Sequence, residues 1–168
     1  MAGVVGRRWR SEGVASGKLS GMLSWLFSDP LPVGEAAPDF ALQDQDGNVV
    51  SLEGLRGTNV VLVFYPADET TLCTKQLCEF RDNWGLAQTK DAIVFGVNPA
   101  GQAKHAQFRA NHKFPFPLLA DPGQRMGAAY RTKGLIVKRT VYLIGKSGKI
   151  RYARRGKPNP AEVLATAE

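Results

Sequence analysis

Beyond its first 33 residues the chain alternates short apolar runs with helical stripes. Residues 60–65 are an unbroken series of Val, Leu, Phe and Tyr, the pattern of a strand covered on both faces of its sheet. Pro66 stops the run, because proline has no N–H to give to a ladder. From Cys73 to about Leu86 the apolar residues Leu77, Phe80 and Trp84 recur at spacings of three and four, which describes one face of a helix. Thr70 or Thr71 stands where a side chain can cap its first turn. Residues 92–97 form a second alternation-free run, and residues 102–111 a second helix.

Strand, helix, strand, helix implies a βαβ unit and a largely parallel sheet. Around it the pattern places hairpins. Short extended segments at 40–42 and 49–50 flank Asp46-Gly47, a hairpin turn signal. Residues 140–144 and 150–153 form a second hairpin, joined by a Gly- and Lys-rich turn. Prolines at 115, 117 and 122 restrict the stretch between them to a loop with at most a short edge segment. Residues 124–130 read as a short helix and residues 160–166 as the last one, with Asn159 as cap and Pro160 at its first position. The expected fold class is α/β, a central mixed sheet flanked by helices with an N-terminal β-hairpin.

Residues 1–33 differ in composition. They carry Gly, Ser and Arg, and although Arg7-Arg8 has the look of a twin-arginine signal, no apolar stretch of signal-peptide length follows it. The segment 22–27 is apolar but too short to span a bilayer. It reads as a small docked helix or a second translation start. The chain is therefore expected to be an N-terminal extension, 1–33, partly disordered, followed by one domain, 34–168, in the cytoplasm and without membrane association.

At 168 residues and 43% apolar the chain can build a core without disulfide staples. Net charge is +7, and residues 131–157 hold ten Lys or Arg with no Asp or Glu. Such a run can bind nucleic acid, but no aromatic interleaving or known motif accompanies it, and the basic residues flank apparent strands. Solvated edges are the expected reading. His105 and His112, seven apart on the second helix, are expected to be exposed or surface-packed, since no third group near them suggests a triad.

The two cysteines carry the candidate chemistry. Cys73 falls in or beside the first turn of its helix, where N–H groups lack partners and the dipole favours the nucleophilic thiolate. Cys78 follows at i+5. On a regular helix that spacing separates the Cα atoms by roughly 8.6 Å, whereas a disulfide needs about 4.4–6.8 Å. The sulfurs can meet only if the helix start comes undone, so a bond between them implies a redox cycle coupled to local unfolding. A zinc site is a poor fit to two cysteines and two distant histidines. A thiol–disulfide oxidoreductase would show Trp-Cys-x-x-Cys, which this chain lacks. A non-enzymatic basic binding module is the other rival.

Pro66-x-x-x-Thr70-x-x-Cys73 resembles the P-x-x-x-[TS]-x-x-C signature of peroxiredoxins, and Cys73-x-x-x-x-Cys78 resembles their bacterioferritin comigratory protein / Prx Q branch within the AhpC/TSA superfamily. The likeness continues in Gly34-x-x-Ala37-Pro38-Asp39-Phe40, in Phe116-Pro117-Leu118-Leu119-Ala120-Asp121 and in the segment from Arg139 to Ile144. The chain departs from the branch at Thr71-Leu72, where Pro-Gly or Pro-Val is frequent, and at Gln76, where Glu is. The resemblance implies a thioredoxin-like fold and a peroxidase in which Cys73 attacks hydrogen peroxide or an alkyl hydroperoxide and Cys78 resolves it. It implies thioredoxin or a similar dithiol as reductant and no haem, flavin or metal. It also implies roles for Thr70 as hydroxyl donor and for Pro66 as shield of the sulfur. The chemistry calls for a fixed cation; the residues leave Arg131, Lys138 and Arg139 open, and the resemblance selects Arg139. A monomer or weak homodimer is expected.

Overall fold

The computed structural model describes residues 28–168; the readings made for residues 1–27 lie outside them. Seven strands form one mixed sheet: β1 (Ala41–Asp44), β2 (Val49–Ser51), β3 (Asn59–Phe64), β4 (Ala92–Asn98), β5 (Leu118–Ala120), β6 (Thr140–Ile144) and β7 (Ile150–Arg155). Their order is β2-β1-β5-β4-β3-β6-β7. Strands β3, β4 and β5 run parallel, and the two expected hairpins, β1/β2 and β6/β7, pair antiparallel at opposite edges.

Strand β3 lies between the two hydrophobic cores. Successive side chains of a strand point to opposite faces, and both faces are covered. Val61 and Val63 enter one core with Leu77, Phe80, Val94 and Phe108; Val60, Leu62 and Phe64 enter the other with Phe95, Tyr130 and Tyr142. All six residues of β3 are buried, which is why its sequence shows no polar alternation. The first core is roofed by α1 (Thr71–Asp82), α2 (Trp84–Thr89), α3 (Gln102–His112) and α5 (Pro160–Leu164), and the second receives Met126 from α4 (Arg125–Ala129). Leu31 is also buried in the second core, its N–H donating to the Tyr142 hydroxyl at 3.0 Å.

Two expectations need correction. The helix that begins near Cys73 does not run unbroken to Leu86. Asn83 leaves helical geometry at φ −100°, ψ 15°, and its side-chain amide donates to the Glu79 carbonyl at 2.8 Å, the kind of local bond with which Asn competes against helix continuation. The proline-bounded stretch is also no loop or edge. Leu118–Ala120 is an internal strand between β1 and β4, fully buried. Its prolines sit outside it: Pro117 needs to offer only its carbonyl, which accepts from Gly96 N–H at 3.3 Å. Gly96 permits this close approach, since a Cβ there would stand 2.7 Å from Leu118 Cδ2 and 3.0 Å from Tyr65 Cε1.

The C-terminal helix starts as its sequence indicates, Asn159 Oδ1 accepting from Ala161 N–H at 2.9 Å with Pro160 in the first turn. No helix among the described residues is long and apolar enough to cross a membrane.

Candidate active site

Strand β3 ends at Phe64, and residues 65–70 carry the chain over the sheet end into α1. Glu69 has φ 59°, a left-handed conformation unusual outside glycine. Thr70 then takes the cap position in extended conformation, and its carbonyl accepts the Thr74 N–H at 2.9 Å. Cys73 is therefore the third helical residue, 1% exposed, beside backbone N–H groups that have no intrahelical acceptor.

The sheet order explains what it meets. Strand β6 is antiparallel to β3 and pairs Thr140 with Phe64, so the residue entering β6 lies where α1 begins. That residue is Arg139. Its Nη2 donates to Cys73 Sγ at 3.1 Å and its Nη1 to Gln76 Oε1 at 2.6 Å. Gln76, one turn after Cys73 and fully buried, is held from its other end by the Gly156 carbonyl at 3.4 Å. Gly156 N–H in turn donates to the Arg139 carbonyl at 2.8 Å. A permanently charged fork and a helix N-terminus thus both converge on the sulfur, where they can stabilise negative charge that develops during a reaction.

Of the residues singled out in the sequence, the fold brings Cys73 and Arg139 into contact. Cys78 lies in the same helix, and both cysteines are free. Its thiol is pushed above the ordinary cysteine value, first by burial and further by Asp82, with Arg81 opposing. Thr70 is exposed, and its hydroxyl donates to the Ala67 carbonyl at 3.2 Å. The expected side-chain cap is not formed, because that hydroxyl closes the preceding turn. Pro66 is half-buried at the bend that follows β3.

The reading of His105 as a surface residue is overturned. It is wholly buried, with Nδ1 2.7 Å from Asp68 Oδ2, because its position on α3 faces the loop at the end of β3. Asp68 Oδ1 also accepts from the Tyr65 hydroxyl at 2.6 Å and from Asn98 Nδ2 at 2.8 Å. Asn98 follows Val97, which the parallel register sets against Phe64. His112 is half-buried, its Nε2 3.0 Å from Glu69 Oε2. No spacing rule signals this set, since its members come from three separate elements.

Burial alone would raise the Asp68 carboxyl, but hydrogen bonds from His105 and Tyr65, attraction to His105 and a bond from Asn98 outweigh it and hold it below the ordinary value. Tyr65 is pushed well above the usual phenol by burial first and then by the Asp68 carboxylate it bonds, so it stays a donor. The folded carboxyl thus binds a proton less readily than the unfolded one. Its stabilisation is fully present above the ordinary aspartate value of about 3.9 and is lost as pH falls through the lower folded value. Denaturant unfolding of Asp68→Asn between pH 2 and 5 is expected to show a shallower loss of stability than wild type. Identical slopes would refute this account of the carboxylate.

The profile of the AhpC/TSA family matches residues 33–153. Peroxiredoxin Q, chloroplastic, of Oryza sativa subsp. japonica is 42% identical over 123 residues, covering 71% of this chain and 57% of that protein. Peroxiredoxin Bcp of Bacillus subtilis (strain 168) is 34% identical over 129 residues, covering 71% of this chain and 82% of that protein. The chain thus spans less than two thirds of the rice relative's length. Among solved structures, Peroxidoxin BcpB from Mycobacterium tuberculosis superposes with a TM-score of 0.76 at 31% identity, over 81% of this chain and 96% of that one. That likeness gives the mixed sheet its class, the thioredoxin-like fold of the peroxiredoxins. With a family match across most of the described domain and relatives named peroxiredoxin Q and Bcp, this chain belongs to the AhpC/TSA family of peroxiredoxins.

Proposed function

We propose that the protein is a thiol peroxidase that reduces hydrogen peroxide and alkyl hydroperoxides through Cys73, resolves the product with Cys78, and is recycled by thioredoxin or a similar dithiol protein. The observation that carries this is the Arg139 Nη2 to Cys73 Sγ contact of 3.1 Å at a helix start. We assign residues 34–168 to the peroxidase domain and 1–33 to an extension, and place the protein in the cytoplasm as a monomer or weak homodimer.

In this reading the Cys73 thiolate attacks the terminal oxygen of the peroxide. An S–O bond forms, the O–O bond breaks, and the departing oxygen takes a proton to leave as water or alcohol, so Cys73 becomes a sulfenic acid. Charge spreads over sulfur and both oxygens during the step. Donors already in place stabilise that charge without reorganising, and Arg139 is one. Gln76 serves as its positioning residue. Thr70 supplies a second donor once its hydroxyl turns from the Ala67 carbonyl, and Pro66 limits water at the sulfur. After the helix start opens, the Cys78 thiol displaces hydroxide from the sulfenate as the S–S bond forms, and an external dithiol reduces the disulfide by exchange.

The basic run supports an enzyme over a nucleic-acid module. Lys146 pairs with Asp91, Arg151 with Glu168, Arg154 with Glu162 and Lys157 with Glu79, so four of its ten charges are drawn into intramolecular pairs, and Arg139 is turned to Cys73 and Gln76. The test is a thiol count and mass on wild type after one equivalent of hydrogen peroxide. Loss of both thiols within one chain, with two hydrogens gone from the mass and restoration by thioredoxin, is expected. Survival of both thiols would overturn the reading.

A further inference from the structure

The proposed reaction leaves one buried polar cluster unused. The Asp68 side chain is 3% exposed and accepts from Tyr65, Asn98 and His105. A carboxylate is acceptor-only, so His105 Nδ1 carries a proton and donates it to Asp68. His105 Nε2 is buried without a hydrogen-bond partner among the described residues, a cost the fold carries to keep the ring there. The next residue, Glu69, has the strained left-handed backbone, and its carboxylate is met by Asn111 Nδ2 at 2.8 Å and His112 Nε2 at 3.0 Å. His105 and His112 are seven apart, on one side of α3. One helix thus grips two consecutive residues of the loop that delivers Cys73.

That loop must move before the sulfurs can join. The first turns of α1 have to unwind for a pair spaced i+5, and their N-terminal side is fastened to the body of the protein through Asp68 and Glu69. A conformation as unusual as that of Glu69 persists only where its surroundings over-determine it, and here the surroundings are α3.

We propose that His105 and His112 act with Asp68 and Glu69 as a two-point clasp that holds the Cys73 helix start closed, and that its strength sets how the Cys73 sulfenate is partitioned. The four are positioning residues. The inference rests on the reading of Cys73 as oxidised by peroxide and resolved by Cys78. In the open form the Cys78 thiol displaces hydroxide from the sulfenate and water leaves. In the closed form the sulfenate attacks a second peroxide, an O–O bond breaks, and oxygen stays on sulfur as sulfinate while water departs. A tighter clasp favours sulfinate, and a looser one favours the disulfide.

The test is intact-mass measurement of the disulfide-to-sulfinate ratio across a hydrogen peroxide titration, with melting temperatures alongside. His105→Leu removes a buried donor to a charged group and is expected to raise the ratio about tenfold or more. His105→Asn, whose amide can donate from near the place of Nδ1, is expected to stay within about threefold of wild type. Glu69→Gln weakens the outer point and leaves the His112 ring on Phe108 and Phe114; about a two- to fivefold rise is expected with an unchanged melting temperature. If His105→Leu fails to fold, Glu69→Gln and His105→Asn decide. A wild type that forms the disulfide, with variants that partition as it does, overturns the clasp. A wild type that never forms the disulfide overturns the resolving role of Cys78 instead.

Discussion

Cys73→Ser is expected to abolish peroxide consumption, whereas Cys78→Ser is expected to consume one equivalent rapidly, leaving an oxidised Cys73 that reacts further only by slower over-oxidation. The difference follows from what surrounds each sulfur. Cys73 sits in the first turn of α1 with a guanidinium 3.1 Å away. A serine hydroxyl there stays protonated at neutral pH and is far the weaker nucleophile, so no residual turnover is expected. Cys78 is one and a half turns further along, away from the helix start, and burial pushes its thiol up. In the proposed reaction it is expected to act only after the sulfenate has formed. Thioredoxin-coupled turnover measures both variants: each loses steady-state activity, and only Cys78→Ser shows a single-turnover burst. Peroxide consumption by Cys73→Ser, or first oxidation at Cys78 in wild type, would reverse the assignment.

The sequence carried the element carrying both cysteines because the relevant signals are local. An apolar run, a proline and a three-four stripe place Cys73 at a strand-to-helix junction whatever the remaining topology does. The second proline-rich segment misled for a related reason. Prolines 115, 117 and 122 exclude ladder donors at their own positions, yet the three residues Leu118, Leu119 and Ala120 between them carry no such restriction and form an internal strand. Proline reports on its own N–H, and neighbouring residues can still pair. His105 was illegible on other grounds. Its partner Asp68 lies in the loop after β3, that carboxylate is also held by Tyr65 from the same loop and Asn98 from the end of β4, and only the parallel pairing of β3 with β4 brings them together beneath α3.

Arg139 required both kinds of information. Nothing local separates it from Lys138 or Arg131, but the antiparallel pairing of Thr140 with Phe64 delivers its side chain to the sulfur. Arg139→Leu is expected to lower the second-order rate with hydrogen peroxide about 10²- to 10³-fold, the loss typical of one preorganised donor to developing negative charge. Arg139→Lys keeps the charge and is still expected to lose about tenfold. One ammonium on a flexible stem cannot hold Gln76 Oε1 and Cys73 Sγ as the fork does at 2.6 and 3.1 Å. Gln76→Glu is the complementary change. A carboxylate against Nη1 would keep the geometry while drawing positive charge away from the sulfur, so the rate should fall between those of wild type and Arg139→Leu. Stopped-flow oxidation of the Cys78→Ser background isolates this first step from resolution, and alkylation by iodoacetamide at neutral pH follows the thiolate independently of peroxide. A rate for Arg139→Leu within about threefold of wild type would remove the guanidinium from the reaction and leave the helix start alone to activate Cys73.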